Sequence, residues 1–261
     1  MKSLRALTIS LLLGFFCFHS SAQQLPPGSR HTFWEINMEY SAAFPGGDLS
    51  DRYGFTSLAG GSLGLKMKSN FYFRAGILML FGGVVREPIA SNVLIINGNE
   101  RTGYVGSGIG TDGKFKDVFF FERGYTIPFS AGRIFSSGKK TNPNSGIFLE
   151  IGAQFIQHKV RLEVPSSSVP VVDPELRYGY DRLTNGFGCT QNLGYVHHGK
   201  TRFINFYAGI SLSQNFTQGR RDIQFDTGLP DNQPRTDLLF GLRVGWSFLI
   251  ARGDNEGYYI N

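Results

Sequence analysis

His158 closes the run GIFLEIGAQFIQH, in which Glu150 and Gln154 share its parity. On a strand, residues of equal parity line one face, so an acid and an imidazole would sit in one column. A histidine near an acid can activate a hydroxyl nucleophile, and Ser211 and Ser213 in FINFYAGISLSQNF are hydroxyls of one face on another strand. Spacing alone does not bring them to His158, and a rim histidine bonded to its neighbours or to water is the competing reading. His197 and His198 are adjacent, so on a strand they point to opposite sides and do not share one metal; solvated turn residues are the expectation. Arg220 and Arg221, beside Asp222 and Asp226, present guanidinium forks suited to phosphate, with an internal salt bridge as the alternative. No phosphate loop, zinc spacing or nucleophile elbow occurs, and no cofactor is expected.

The elements that would position these residues are strands. In TDLLFGLRVGWSFLI, Leu238, Phe240, Leu242, Val244, Trp246, Phe248 and Ile250 alternate with Asp237, Leu239, Gly241, Arg243, Gly245, Ser247 and Leu249. Strict alternation predicts a strand whose two faces meet different surroundings. Seven further runs behave alike, near 33–44, 58–69, 71–83, 118–135, 146–158, 182–196 and 203–216. In the fourth, Arg123 interrupts the apolar side, and Pro128, which cannot donate to a ladder, predicts a bulge or local irregularity.

The polar faces decide which way the sheet is turned. They carry Glu39, Lys66, Arg74, Glu122, Glu150 and Arg243 among Gly, Ser and Asn. Small residues beside charges of both signs suit the narrow lumen of a closed barrel, where buried charges must pair, so these six are expected to form a structural network. The apolar faces carry aromatics near both strand ends, such as Trp34 and Phe44, or Phe71 and Phe81, as two membrane interfaces require. Connections alternate: KSN (68–70) and HHGKT (197–201) are short, whereas the stretch 86–116 runs to about thirty residues, far beyond an ordinary link. Within it, SNVLIING is apolar enough to extend a strand above the membrane or to form a partner surface. Short turns on one side and long loops on the other predict an all-β, eight-stranded antiparallel up-and-down transmembrane β-barrel with both termini periplasmic.

The N-terminus reads as a cleaved leader: Lys2 and Arg5, an apolar run from Ala6 to Phe18, then Ser20-Ser21-Ala22. The expected organisation is a signal peptide over 1–22, a periplasmic segment over 23–32, the barrel over 33–250 and a tail over 251–261. Loss of Lys2 and Arg5 lowers the formal charge from +6 to +4, that is 24 basic against 20 acidic residues. So modest an excess, scattered along the chain, does not suit nucleic-acid binding. Cys17 falls in the leader, leaving Cys189 alone, without a disulfide partner.

The stretch YTIPFSAGRIF resembles the Ile-Pro strand of the PorT-like outer-membrane β-barrel family, with Thr126 in place of the usual acidic residue. GIFLEIGAQF and LLFGLRVGWSF are similar to barrel strands of the same family. The resemblance spans about residues 33 to 250 and implies an integral outer-membrane barrel without implying one activity. The expectation is therefore a non-enzymatic barrel of the Gram-negative outer membrane, structural, accessory or partner-binding through its long loops. Lipopolysaccharide, met by Arg220 and Arg221, and other envelope proteins are its expected partners. The alternatives are a lipid-modifying barrel enzyme using His158 and a narrow channel.

Overall fold

The computed structural model describes residues 30–136, 142–164, 169–173, 175–199 and 204–251. Ten strands carry the fold: β1 (Phe33–Gly47), β2 (Thr56–Lys66), β3 (Phe71–Gly82), β4 (Ile95–Asn99), β5 (Gly103–Ile109), β6 (Phe115–Phe135), β7 (Gly146–Glu163), β8 (Thr184–His198), β9 (Asn205–Gly219) and β10 (Pro234–Ala251). A short α-helix, α1 (Asp48–Arg52), follows β1. Eight of the strands, all but β4 and β5, form a closed antiparallel barrel: each pairs with its neighbour in the chain, β3 pairs with β6, and β10 returns to β1. Closure gives every barrel strand a partner on both sides and leaves the barrel itself no open edge strand. The leader expected over 1–22 lies outside the described residues.

The alternation in the sequence becomes an inside and an outside. Where β1 meets β10, Met38 opposes Trp246, Tyr40 opposes Val244 and Phe44 opposes Phe240, all on the outer face. Their inward neighbours Asn37, Glu39 and Ser41 oppose Ser247, Gly245 and Arg243. Met38, Phe129, Ile151, Phe187 and Leu242 are 59–71% exposed, whereas Glu39, Arg74, Glu150 and Arg243 are buried. A belt of exposed Leu, Ile, Phe and Met around a charged interior is the reverse of a water-soluble barrel and is matched to hydrocarbon.

Pro128 produces no bulge. Its strand keeps one register with β7 from Phe119 to Phe135, and with β3 the same offset holds on either side of the gap between Ala75↔Phe129 and Leu78↔Thr126. The missing N–H removes ladder bonds to β3 without forcing an extra residue into the strand.

The long stretch after β3 is a hairpin. SNVLIING supplies β4, which pairs with β5, and β5 pairs with the first residues of β6, Phe115–Phe119. The hairpin thus prolongs one wall of the barrel past its rim. Beneath it lies an apolar core: Leu58, Leu80, Ile156, Val160 and Leu239 point inward from the strands and meet Leu49 of α1, Val85, Ile89 and Leu94. The loops therefore pack into the barrel mouth. Arg52 of α1 reaches across it to Thr184 Oγ1 (3.1 Å) and the Arg182 carbonyl (3.2 Å).

Candidate functional site in the barrel lumen

Midway down the lumen, four charged residues named by the sequence come together. Arg243 on β10 donates through Nε to Glu39 Oε2 on β1 (2.8 Å), with Nη2 on the same oxygen, and through Nη1 to Glu150 Oε1 on β7 (3.2 Å). Arg74 on β3 bridges Glu150 (3.3 Å) and Glu35 (3.2 Å). Glu150 also accepts from Tyr72 Oη (2.9 Å), Ser130 Oγ (2.8 Å) and Asn192 Nδ2 (3.0 Å). The Tyr207 ring lies 4.5 Å from the Arg74 guanidinium and 5.3 Å from that of Arg243, and its hydroxyl donates to Glu39 (2.7 Å). Two cations on one aromatic ring are tolerable here because three carboxylates surround them.

Small residues make this packing possible. Gly245, beside Glu39 in the register, leaves the space Tyr207 occupies: a Cβ there would stand 2.2 Å from the Tyr207 Cζ. The free space left in this layer is a cavity of about 50 Å³, bounded by Ser41, Arg74, Glu150 and Arg243 among others. That is room for a few waters.

Lys66 and Glu122 do not join the network. Lys66 is buried at the barrel rim beside the short β2–β3 turn, donating to Asn144 Oδ1 (2.6 Å) and the His31 carbonyl (3.1 Å). Glu122 lies near the opposite mouth, where Thr56 Oγ1 donates to it at 2.5 Å. Both face inward as expected, but strand length separates them from the middle layer. Glu35, Tyr72 and Tyr207 take their places; all three stood on inward faces, and only stagger between strands reveals which inward residues share a depth.

His158 is fully buried. Its Nε2 meets Asp237 Oδ2 (3.1 Å), Tyr53 packs edge-on to its ring, and Thr217 Oγ1 donates to the same Asp237 oxygen (2.6 Å). The acid beside His158 is thus Asp237 of β10, and neither Ser211 nor Ser213 bonds to it. The expectation of two solvated turn histidines is corrected: His197 stacks outward on Phe206, but His198 is buried, with Nδ1 on the Asn144 carbonyl (2.7 Å) and Nε2 3.5 Å from Glu35. The short turn leaves the last residue of β8 inside the barrel end, where parity carries it inward.

Of the two loop arginines, Arg221 grips Asp181 with both fork nitrogens (2.8 and 2.6 Å), and that carboxylate holds the guanidinium above its usual pKa. Arg220 is exposed, with Nε on Asn185 Oδ1 (2.6 Å). Asp226 pairs instead with Arg182 (2.7 Å). Arg221 therefore makes the internal salt bridge, and its fork is not open to a phosphate. Cys189 is a free, exposed thiol on the outer face.

No family model matches the chain, and no curated protein matches it. Among solved structures it is similar to Neisserial surface protein A, at 11% identity over 82% of this chain and 96% of that one, with a TM-score of 0.39. The N-terminal β-barrel domain of Pseudomonas aeruginosa OprF gives 12% identity, 82% and 97% coverage, and 0.36. Ail, the attachment invasion locus protein of Yersinia pestis, gives 9%, 84% and 99%, and 0.36. Similarity this low carries no functional argument.

Proposed function

We propose that this chain is an integral outer-membrane barrel of the PorT-like kind, which acts as a closed, non-catalytic anchor. It holds its extracellular hairpin and loops in fixed positions for other envelope components. The observation that carries this reading is the filled lumen. The Arg74–Glu150–Arg243–Glu39 layer blocks the middle, and the apolar core under α1 and the loops blocks the mouth. A closed antiparallel barrel with an apolar belt belongs in a membrane that houses barrels, which favours the outer one. Long connections at one end and short ones at the other favour periplasmic termini.

A channel is disfavoured because ions would have to part buried charge pairs. A lipid-modifying activity is disfavoured because His158 is sealed behind Tyr53, away from lipid, and is bonded to Asp237 rather than to Ser211 or Ser213. The test is twofold. Density separation of membranes should place the protein with the outer membrane. The purified barrel in a planar bilayer should carry no steady current, and lipopolysaccharide incubated with it should keep its acyl mass. Regular single-channel steps would replace the anchor with a channel, and loss of acyl chains abolished by His158→Ala would replace it with an enzyme.

A further inference from the structure

The outer face holds one arrangement that the anchor itself does not need. Arg123 on β6 and Lys159 on β7 are directly opposed in the ladder, and Arg161 is opposed to Phe121 next to them. All three side chains point outward. Like charges placed directly opposite each other weaken a sheet unless something anionic lies between. Their carboxylate partners are few. Lys159 is 3.3 Å from Asp181, whose oxygens are already engaged by Arg221, and Arg161 is 2.7 Å from Glu163. Arg123 makes no ion pair among the described residues: it lies over the Phe121 ring at 4.9 Å and donates to the Glu122 carbonyl at 2.8 Å.

The depth of this cluster matters as much as its charge. One row below it, Tyr125 packs on Phe155 (6.0 Å), and Phe155 on Phe187 (5.3 Å), with Ile127 and Phe129 exposed beneath. That aromatic row marks the upper edge of the lipid belt. The cations stand just above it, on the side of the long loops, at the level of lipid headgroups. Arginine and lysine there can meet a lipid phosphate while their stems lie along apolar surface.

We propose that Arg123, Lys159 and Arg161 form a cradle for the phosphates of lipopolysaccharide in the outer leaflet. This rests on the outer-membrane reading above. It moves the lipid contact away from Arg221 and down the wall to β6 and β7. Charge complementarity fixes the occupant: a phosphate between Arg123 and Lys159 turns a repulsive cross-strand pair into an attractive one.

The experiment compares the full-length barrel with R123Q/K159Q and with R133Q, each refolded in zwitterionic phospholipid vesicles. Arg133 is the control because it also points outward, over Phe71 and Phe135, at the opposite end of the belt. Each is titrated with lipopolysaccharide, with dephosphorylated lipopolysaccharide and with free pyrophosphate. R123Q/K159Q should bind intact lipopolysaccharide about thirtyfold more weakly, the scale expected for two headgroup charges. R133Q and dephosphorylated lipid should separate cleanly: R133Q binds as the parent does, and the dephosphorylated lipid binds neither protein well. Without anionic lipid, R123Q/K159Q should resist urea as well as the parent or better, since a repulsion is gone. With lipopolysaccharide, only the parent and R133Q should gain stability. Equal binding by R123Q/K159Q and the parent would overturn the cradle, as would equal weakening by R133Q. Pyrophosphate binding as tight as that of the lipid would transfer the site to a soluble phosphate. Membrane separation reports independently on the outer-membrane reading, so its failure and that of the cradle are distinguishable.

Discussion

Arg243 and Val244 are neighbours in the chain but face different solvents, and substitutions at the two should fail for different reasons. Arg243→Met leaves Glu39 buried without its main cation and strips one from Glu150; breaking a buried pair on one side costs about 3–5 kcal/mol. Adding Glu39→Gln should recover part of that loss, because the uncompensated charge is removed. Val244→Arg instead puts a cation into the lipid belt, at about 2–4 kcal/mol near the midplane, and no change in the lumen should rescue it. Urea unfolding in vesicles, followed by the gel shift of the folded barrel, measures all four proteins. Rescue of Val244→Arg by a lumen variant would show that the faces are misassigned. Gly245→Ala is the steric counterpart: its Cβ would collide with the Tyr207 ring, and overpacking there should cost about 1–3 kcal/mol by the same assay.

Among elements, the β4–β5 hairpin projects beyond the barrel rim, and the chain around it offers a clear order of proteolysis if the long loops face outward. Arg101, at the hairpin turn, and Lys114, in the next turn, are exposed. Arg86 is tied to the Ser50 carbonyl at 2.8 Å, and its backbone N–H to that of Arg52. Trypsin added to intact cells should cut after Arg101 and Lys114, spare Arg86, and leave Lys139-Lys140 in the β6–β7 connection uncut until the outer membrane is opened. Fragment masses read the order. Early cutting at Lys139-Lys140 would invert the barrel. The hairpin's β4 ends the ladder β6–β5–β4 and has no strand partner on its outer side among the described residues, so a partner strand would meet open backbone groups there.

At the scale of the whole molecule, the lumen is filled at two levels, by paired charges in the middle and by apolar side chains at the end that carries α1 and the long loops. The two levels differ in what opens them. Replacing both Arg74 and Arg243 with Ser removes the cations that hold Glu35, Glu39 and Glu150 together and widens the cavity already present there. The apolar mouth would remain shut, so the double variant should stay non-conducting in planar bilayers. Deleting residues 48–53 in that background removes Leu49, Arg52 and Tyr53 from the mouth, and steady cation-selective steps should then appear, since three carboxylates line the path. Conductance in the Ser variant alone would mean that the loops seal nothing.

Which side chains face outward was decided by parity in the chain, because a strand has a period of two and a one-residue slip would exchange every face. Leu242 and Val244 outside, Arg243 and Glu39 inside, and eight strands closing on themselves all follow from that period and from where Gly, Pro and polar runs interrupt it. The direction of Lys66, Glu122 and His158 was legible in the same way. Their depth was not. Each barrel strand is staggered against its neighbours, so residues that share a layer are set by register, which no single strand encodes. That is why Glu35 rather than Lys66 meets Arg74, why His158 finds Asp237 from the far end of the chain, and why Glu122 stands apart. SNVLIING announced a strand or an apolar surface, but its place at the end of a β6–β5–β4 ladder depended on where the barrel rim placed β6. The opposition of Arg123 and Lys159 was hidden for the same reason: it exists only once β6 and β7 lie side by side.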